Sequence, residues 1–182
     1  VKIILKKEYV QIHTVVEAEG NVSHGNYQYG SDIFENEDLM VRSGDTIRLK
    51  IVPDEGYTIG QLFIGGTPQT IDRSKIDEDG NYEIEYTVSE TATIWTSFAA
   101  DVNGNGEPDE TETTYSITYA AGTAGTNAQN MPQNETDILS GTTKTLPTTE
   151  PTWTGHVFTG WTSDEVQATT GNFIMPEANV TF

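Results

Sequence analysis

Apolar and polar residues alternate along this chain in short runs with a period of two, the spacing of half-buried β-strands. Over Thr46–Val52, Ile47, Leu49 and Ile51 share one face and Arg48 and Lys50 the other; over Tyr82–Val88, Tyr82, Ile84, Tyr86 and Val88 alternate with Glu83, Glu85 and Thr87. Further runs rich in β-branched and aromatic residues predict strands at Val1–Leu5, Tyr9–Val16, Gln61–Ile64 and Ala92–Phe98. Between them lie turn clusters, Glu19-Gly20-Asn21, Ser43-Gly44-Asp45, Pro53 to Tyr57, Gly65-Gly66 and Asp77 to Asn81. His24 to Gly30 reads as a loop or edge segment, and Asp32 to Met40 as a short helical turn. The pattern predicts an all-β protein with antiparallel sheets that keep one face wet.

The composition shifts near Ala100 to Thr114. Beyond it the chain is rich in threonine, with strands predicted at Tyr115–Tyr119, Lys144–Leu146, Val157–Thr159 and Asn179–Phe182, and a Gly/Ala/Asn stretch from Ala120 to Asn130. The expected organisation is therefore one β module over residues 1–100, an acidic linker over 101–113 and a second module over 114–182.

Charge narrows the classes of partner. The 182 residues carry 28 acidic and 9 basic side chains, a formal charge of −19. That balance excludes a nucleic-acid binder, which needs clustered Lys and Arg, and argues against an anionic membrane surface. The imbalance is concentrated: from Ile76 onward there are 17 acids and a single base, Lys144. Such a segment attracts cations. There is no cysteine, which rules out disulfides and thiolate chemistry. No apolar run reaches the ~18 residues of a membrane span. Without a starting methionine, Val1 reads as an internal point of a longer chain. The Asn-x-Ser/Thr sequons at Asn21, Asn134 and Asn179 occur at the frequency expected of a chain rich in Asn and Thr.

The linker holds the sharpest motif. Asp101-Val-Asn-Gly-Asn-Gly-Glu-Pro-Asp-Glu-Thr-Glu112 places oxygen-bearing side chains at loop positions one, three, five, nine and twelve, with a glycine at six. That is the ligand order of a twelve-residue calcium loop. Asp101, Asn103 and Asn105 each offer a side-chain oxygen, Glu107 its carbonyl, Asp109 a direct or water-mediated contact, and Glu112 a bidentate carboxylate. The flanks predict a strand before the loop and Thr113-Thr114-Tyr115 after it, so no helix pair is available to open as in a calcium sensor. Two Asn in place of Asp lower the ligand charge and predict weak, structural binding, in the ~10⁻⁴–10⁻³ M range of extracellular modules. The plain alternative is an acidic, flexible Asn-Gly linker.

Two stretches carry a family resemblance. Gly44-Asp-Thr-Ile-Arg-Leu-Lys-Ile-Val-Pro53-Asp-Glu-Gly56-Tyr57, closed by Ala92-Thr-Ile-Trp-Thr-Ser-Phe-Ala99, resembles a divergent internalin-type B repeat. Gly141-Thr-Thr-Lys-Thr-Leu-Pro147, Trp153-Thr-Gly155-His-Val-Phe-Thr-Gly160-Trp161 and Phe173-Ile-Met-Pro176 resemble the internalin-type B repeat itself, with His156 where that family usually carries Tyr. The chain stops at Phe182, short of where that repeat usually finishes its last strand. The resemblance implies two tandem β-grasp-like or β-sandwich-like modules from a bacterial cell-surface or secreted protein. In that reading they are monomeric spacers or adhesion modules, with neighbouring repeats as partners and calcium in the EF-hand-like linker. It implies no enzyme. The competing class is a recognition module for a host or extracellular protein or a glycan.

The remaining chemistry is sparse. His13, His24 and His156 have no metal-ligand spacing and read as structural or solvent-facing. No nucleophile elbow, zinc-protease helix or phosphate loop occurs. Trp161 and Phe158 match core positions of the repeat. Trp95 falls out of phase with Ile94 and Phe98, which turns it outward. It is a candidate for contact with the second module, for cover over its own sheet, or for stacking on a sugar ring.

Overall fold

The computed structural model describes residues 8–20, 22–168 and 171–182. The strand expected at Val1–Leu5 and the sequon at Asn21 lie outside these residues. The chain forms two units, Val1–Glu110 and Thr111–Phe182, each with its own core.

Strict alternation in the first unit builds strands β1 (Tyr9–Val16), β2 (Gly25–Tyr29), β3 (Asp32–Phe34), β4 (Asp38–Arg42), β5 (Thr46–Pro53), β6 (Tyr57–Ile64), β7 (Thr67–Pro68), β8 (Tyr82–Thr87) and β9 (Ala92–Ala100). They make a five-stranded sheet, ordered β4-β1-β9-β6-β7, and a four-stranded sheet, ordered β3-β2-β5-β8. Every pairing is antiparallel except β1 with β9. One core draws on both sheets, with Ile12, Val16, Ile59, Leu62 and Ile94 from the first and Tyr27, Ile47, Leu49, Ile51 and Ile84 from the second. This is a β-sandwich, in which each strand turns alternate residues inward. On the wet face of the smaller sheet, Arg48 lies opposite Glu85 in register and pairs with it.

Two local expectations fail here. Residues 32–40 form no helical turn but strands β3 and β4, because Phe34 and Val41 are drawn into the core. The bend between them is clamped to β1: Thr14 N–H and Oγ1 both donate to the Glu37 carbonyl, at 2.9 and 2.8 Å, and Val16 N–H donates to Asn36 Oδ1 at 3.0 Å. The segment read as loop or edge, His24 to Gly30, contains β2, which lies between β3 and β5.

The second unit contains β10 (Thr114–Thr118), β11 (Glu135–Leu139), β12 (Thr143–Thr145), β13 (Asn172–Ile174) and β14 (Val180–Thr181). A three-stranded sheet, β11-β10-β14, has β10 and β14 parallel, and β12 pairs with β13. Ile117, Tyr119, Ile138, Phe173, Met175, Val180 and Phe182 fill the core. The strand expected at Val157–Thr159 is irregular chain, and Val157 is 88% exposed. A single exposed valine there supplies no second apolar position for a strand to bury. Phe158 is half-buried, and Trp161 packs against the core from its edge. The expected all-β architecture holds, and its only helical elements among the described residues are short 3₁₀ turns.

Candidate metal site

The linker loop curls around its first residue. Asp101 is buried, and its carboxylate accepts Asn105 N–H at Oδ1 (3.0 Å) and Gly106 N–H at Oδ2 (2.9 Å). Asn103 Oδ1 accepts Asn105 N–H at 3.3 Å, and Asn105 Oδ1 accepts Glu107 N–H at 2.8 Å. Asp109 closes the loop from the far side, accepting Val102 N–H at 3.0 and 3.2 Å. Gly104 and Gly106 take φ of 70° and 85°, the left-handed region that glycine enters without a Cβ penalty. A 3₁₀ turn follows at Asp109–Thr111, and Glu112 lies in the second unit.

Sequence reasoning missed what anchors this loop. The Gly106 carbonyl accepts from Thr58 Oγ1 and from Arg73 Nη1, both at 2.9 Å, and Arg73 Nε lies 3.4 Å from Glu107 Oε2. Arg73 comes from a 3₁₀ turn almost thirty residues earlier, Arg73–Lys75, and no local motif announces it. With the Glu107 carboxylate held by arginine, the carbonyl is the atom left for position seven of a calcium loop.

Asp101, Asn103, Asn105 and Asp109 are thus brought into one curl, and their donors are all oxygen, the chemistry of a hard cation. Carboxylate and amide oxygens of this kind can accept more than one partner. Among the described residues no three His, Asp or Glu side chains already converge as a metal cluster. Asn103, Asn105 and backbone carbonyls must therefore complete any coordination shell.

The other candidates separate cleanly. Trp95 is half-buried and meets Phe63 edge to face, with ring centroids 5.2 Å apart. Cross-strand register sets Val15, Trp95, Phe63 and Pro68 in one row on the outer face of the five-stranded sheet. His13 pairs with Asp38, His24 stacks on Tyr57, and His156 stacks on Trp153. Among the described residues none of the three joins a metal-ligating group.

Residues 115–182 match the family model of the divergent InlB B-repeat domain. The matched segment lies within the second unit, so the B-repeat resemblance found in its Gly141, Gly160-Trp161 and Met175-Pro176 motifs is supported there. For the first unit and the linker the resemblance rests on their own residues. No curated protein and no solved structure matches the chain. Among the described residues no helix is long and apolar enough to cross a membrane.

Proposed function

We propose that this chain is a non-catalytic segment of a bacterial cell-surface or secreted protein, a spacer or adhesion stalk of β modules whose linking loop takes calcium. The observation that carries the reading is the Asp101 loop. A buried carboxylate gathers the amides of Asn105 and Gly106 within an Asp-x-Asn-x-Asn-Gly sequence, and Arg73 and Thr58 pin that loop to the first module. The B-repeat match of the second module supports the surface setting. Asp101, Asn103, Asn105, the Glu107 carbonyl, Asp109 and Glu112 hold the ion, which acts as a structural brace and performs no chemistry. Its neighbours in the parent protein are further repeats.

At free calcium about ten times Kd, binding stabilises the folded loop by about 1.4 kcal/mol. Thermal melts of the 182-residue chain in 1 mM CaCl2, against NaCl of equal ionic strength and against EDTA, test this. The expected result is a midpoint raised by a few degrees with calcium alone, and lost in Asn103→Ala and Glu112→Gln, two half-buried positions outside both cores. Equal midpoints in calcium and matched NaCl, or an undiminished response in both variants, would overturn the reading.

A further inference from the structure

The irregular stretch of the second unit lines a half-open pocket of about 560 Å³. Pockets of this size hold small molecules or single side chains. Its walls include Trp153, Phe158 and Trp161, and its rim includes Asp164 and Glu165. No Lys or Arg lines it. The one Lys or Arg of this unit, Lys144, is paired with Glu135, so no Lys or Arg of the unit itself answers the two carboxylates.

The rings are not a flat patch. Phe158 and Trp161 cross at 64° with centroids 5.2 Å apart, and Trp161 crosses Tyr119 at 60°. Trp153 is stacked on His156, 3.5 Å between centroids and 3° between planes, which fixes its orientation in a stretch that has no strand. Rings set at several angles thus line one concave volume, and a cation that enters it can meet an aromatic face. Glu165 is held in place: Oε2 accepts Ser163 Oγ at 2.7 Å and Thr181 N–H at 3.3 Å. Those bonds keep its carboxyl below the usual range, so it stays ionised.

We propose that this cavity binds an organic cation, the guanidinium or alkylammonium group of an arginine or lysine side chain presented by a partner protein. Anions are repelled by the rim. Calcium, strongly hydrated, gains little from ring faces and needs a fuller shell of oxygen ligands than two carboxylate side chains supply. A guanidinium satisfies both halves of the site at once, stacking on the rings while its N–H groups reach the carboxylates. The inference goes beyond the spacer reading by giving the second module a ligand class of its own, and it does not depend on calcium.

The test is a titration of the isotopically labelled 182-residue chain with Nα-acetyl-arginine amide and Nα-acetyl-lysine amide, followed at the indole N–H signals. The neutral isostere Nα-acetyl-citrulline amide and methyl glucoside are the comparisons. Saturable shifts at Trp153 and Trp161, with Trp95 unmoved, are expected from the two cations, and citrulline amide should bind about tenfold more weakly. The double variant Asp164→Asn/Glu165→Gln keeps an oxygen acceptor for Ser163 and Thr181, and should stay folded with dispersed indole signals while losing affinity several-fold. Citrulline amide or the glucoside binding as tightly as the cations, or the double variant binding arginine amide unchanged, would overturn the proposal.

Discussion

Tyr27 shows how one polar atom orients two sheets. Its ring is fully buried, and its phenol oxygen lies 2.8 Å from Thr96 Oγ1 and 3.1 and 3.2 Å from the carbonyls of Val15 and Ile94, all on the opposite sheet. The hydroxyl donates to a carbonyl and accepts from Thr96, so a group that is costly to bury is satisfied. Burial pushes its ionisation well above the ordinary tyrosine value, and the hydroxyl stays protonated across the accessible range. Removing only that oxygen isolates the contribution. Tyr27→Phe should cost about 1–2 kcal/mol in urea denaturation, since Thr96 Oγ1 loses a buried partner while the ring still fills the core. An unchanged midpoint would mean that the phenol is not part of the fold's specificity. Nothing in Gly25-Asn-Tyr-Gln-Tyr marks this tyrosine as central, because its neighbours are polar and the partners that bury it lie up to about seventy residues away. The linker ligands are legible for the opposite reason. A twelve-residue loop carries its whole pattern locally, whereas Arg73, which anchors it, does not.

At the scale of elements, strands with clean alternation were readable and strands whose burial is decided by neighbours were not. β5 and β8 announce themselves by Ile47, Leu49 and Ile51 and by Tyr82 and Ile84. β2 does not, although it lies inside its sheet, and a glycine makes that position accessible. A Cβ at Gly25 would fall 2.4 Å from Phe98 Cζ and 2.7 Å from the Val52 carbonyl oxygen. The first contact is a ring that can shift, and the second is backbone that cannot. Gly25→Ala should therefore destabilise the chain by about 1–3 kcal/mol, and Gly25→Ala with Phe98→Leu should recover less than half of that loss. Full recovery in the double variant, measured by chemical denaturation, would show that only the ring was in the way. The second unit was less legible than the first. Its short strands are separated by long irregular stretches, so residues near 120, 153 and 165 meet in one cavity with no sequence spacing to foretell it.

At the scale of the whole molecule, the formal charge of −19 means that most carboxylates sit exposed in one another's field. A few are held by specific donors, and Asp77 is the clearest. Its Oδ1 accepts Asn81 N–H at 2.8 Å, Asn81 Nδ2 at 2.9 Å and Asp79 N–H at 3.1 Å, while Lys50 Nζ lies 3.2 Å from Oδ2. Burial raises the carboxyl, but the Asn81 bonds and then Lys50 outweigh it, and the net value falls below the usual range. A carboxyl that binds its proton more weakly when folded adds stability above its unfolded value, about 3.9 for Asp. It loses that contribution as pH falls through the lower folded value. Acidification also relieves the general repulsion, yet that relief is nearly common to the wild type and an Asp77→Asn variant and cancels in their difference. The difference should be about 0.5–1.5 kcal/mol at pH 7, persist to pH 5, and shrink as the pH drops below the ordinary aspartate value. Urea midpoints of both proteins at pH 7, 5 and 3 measure it. A gap that stays constant to pH 3 would show that Asp77 acts through the shape of its turn and not through its charge.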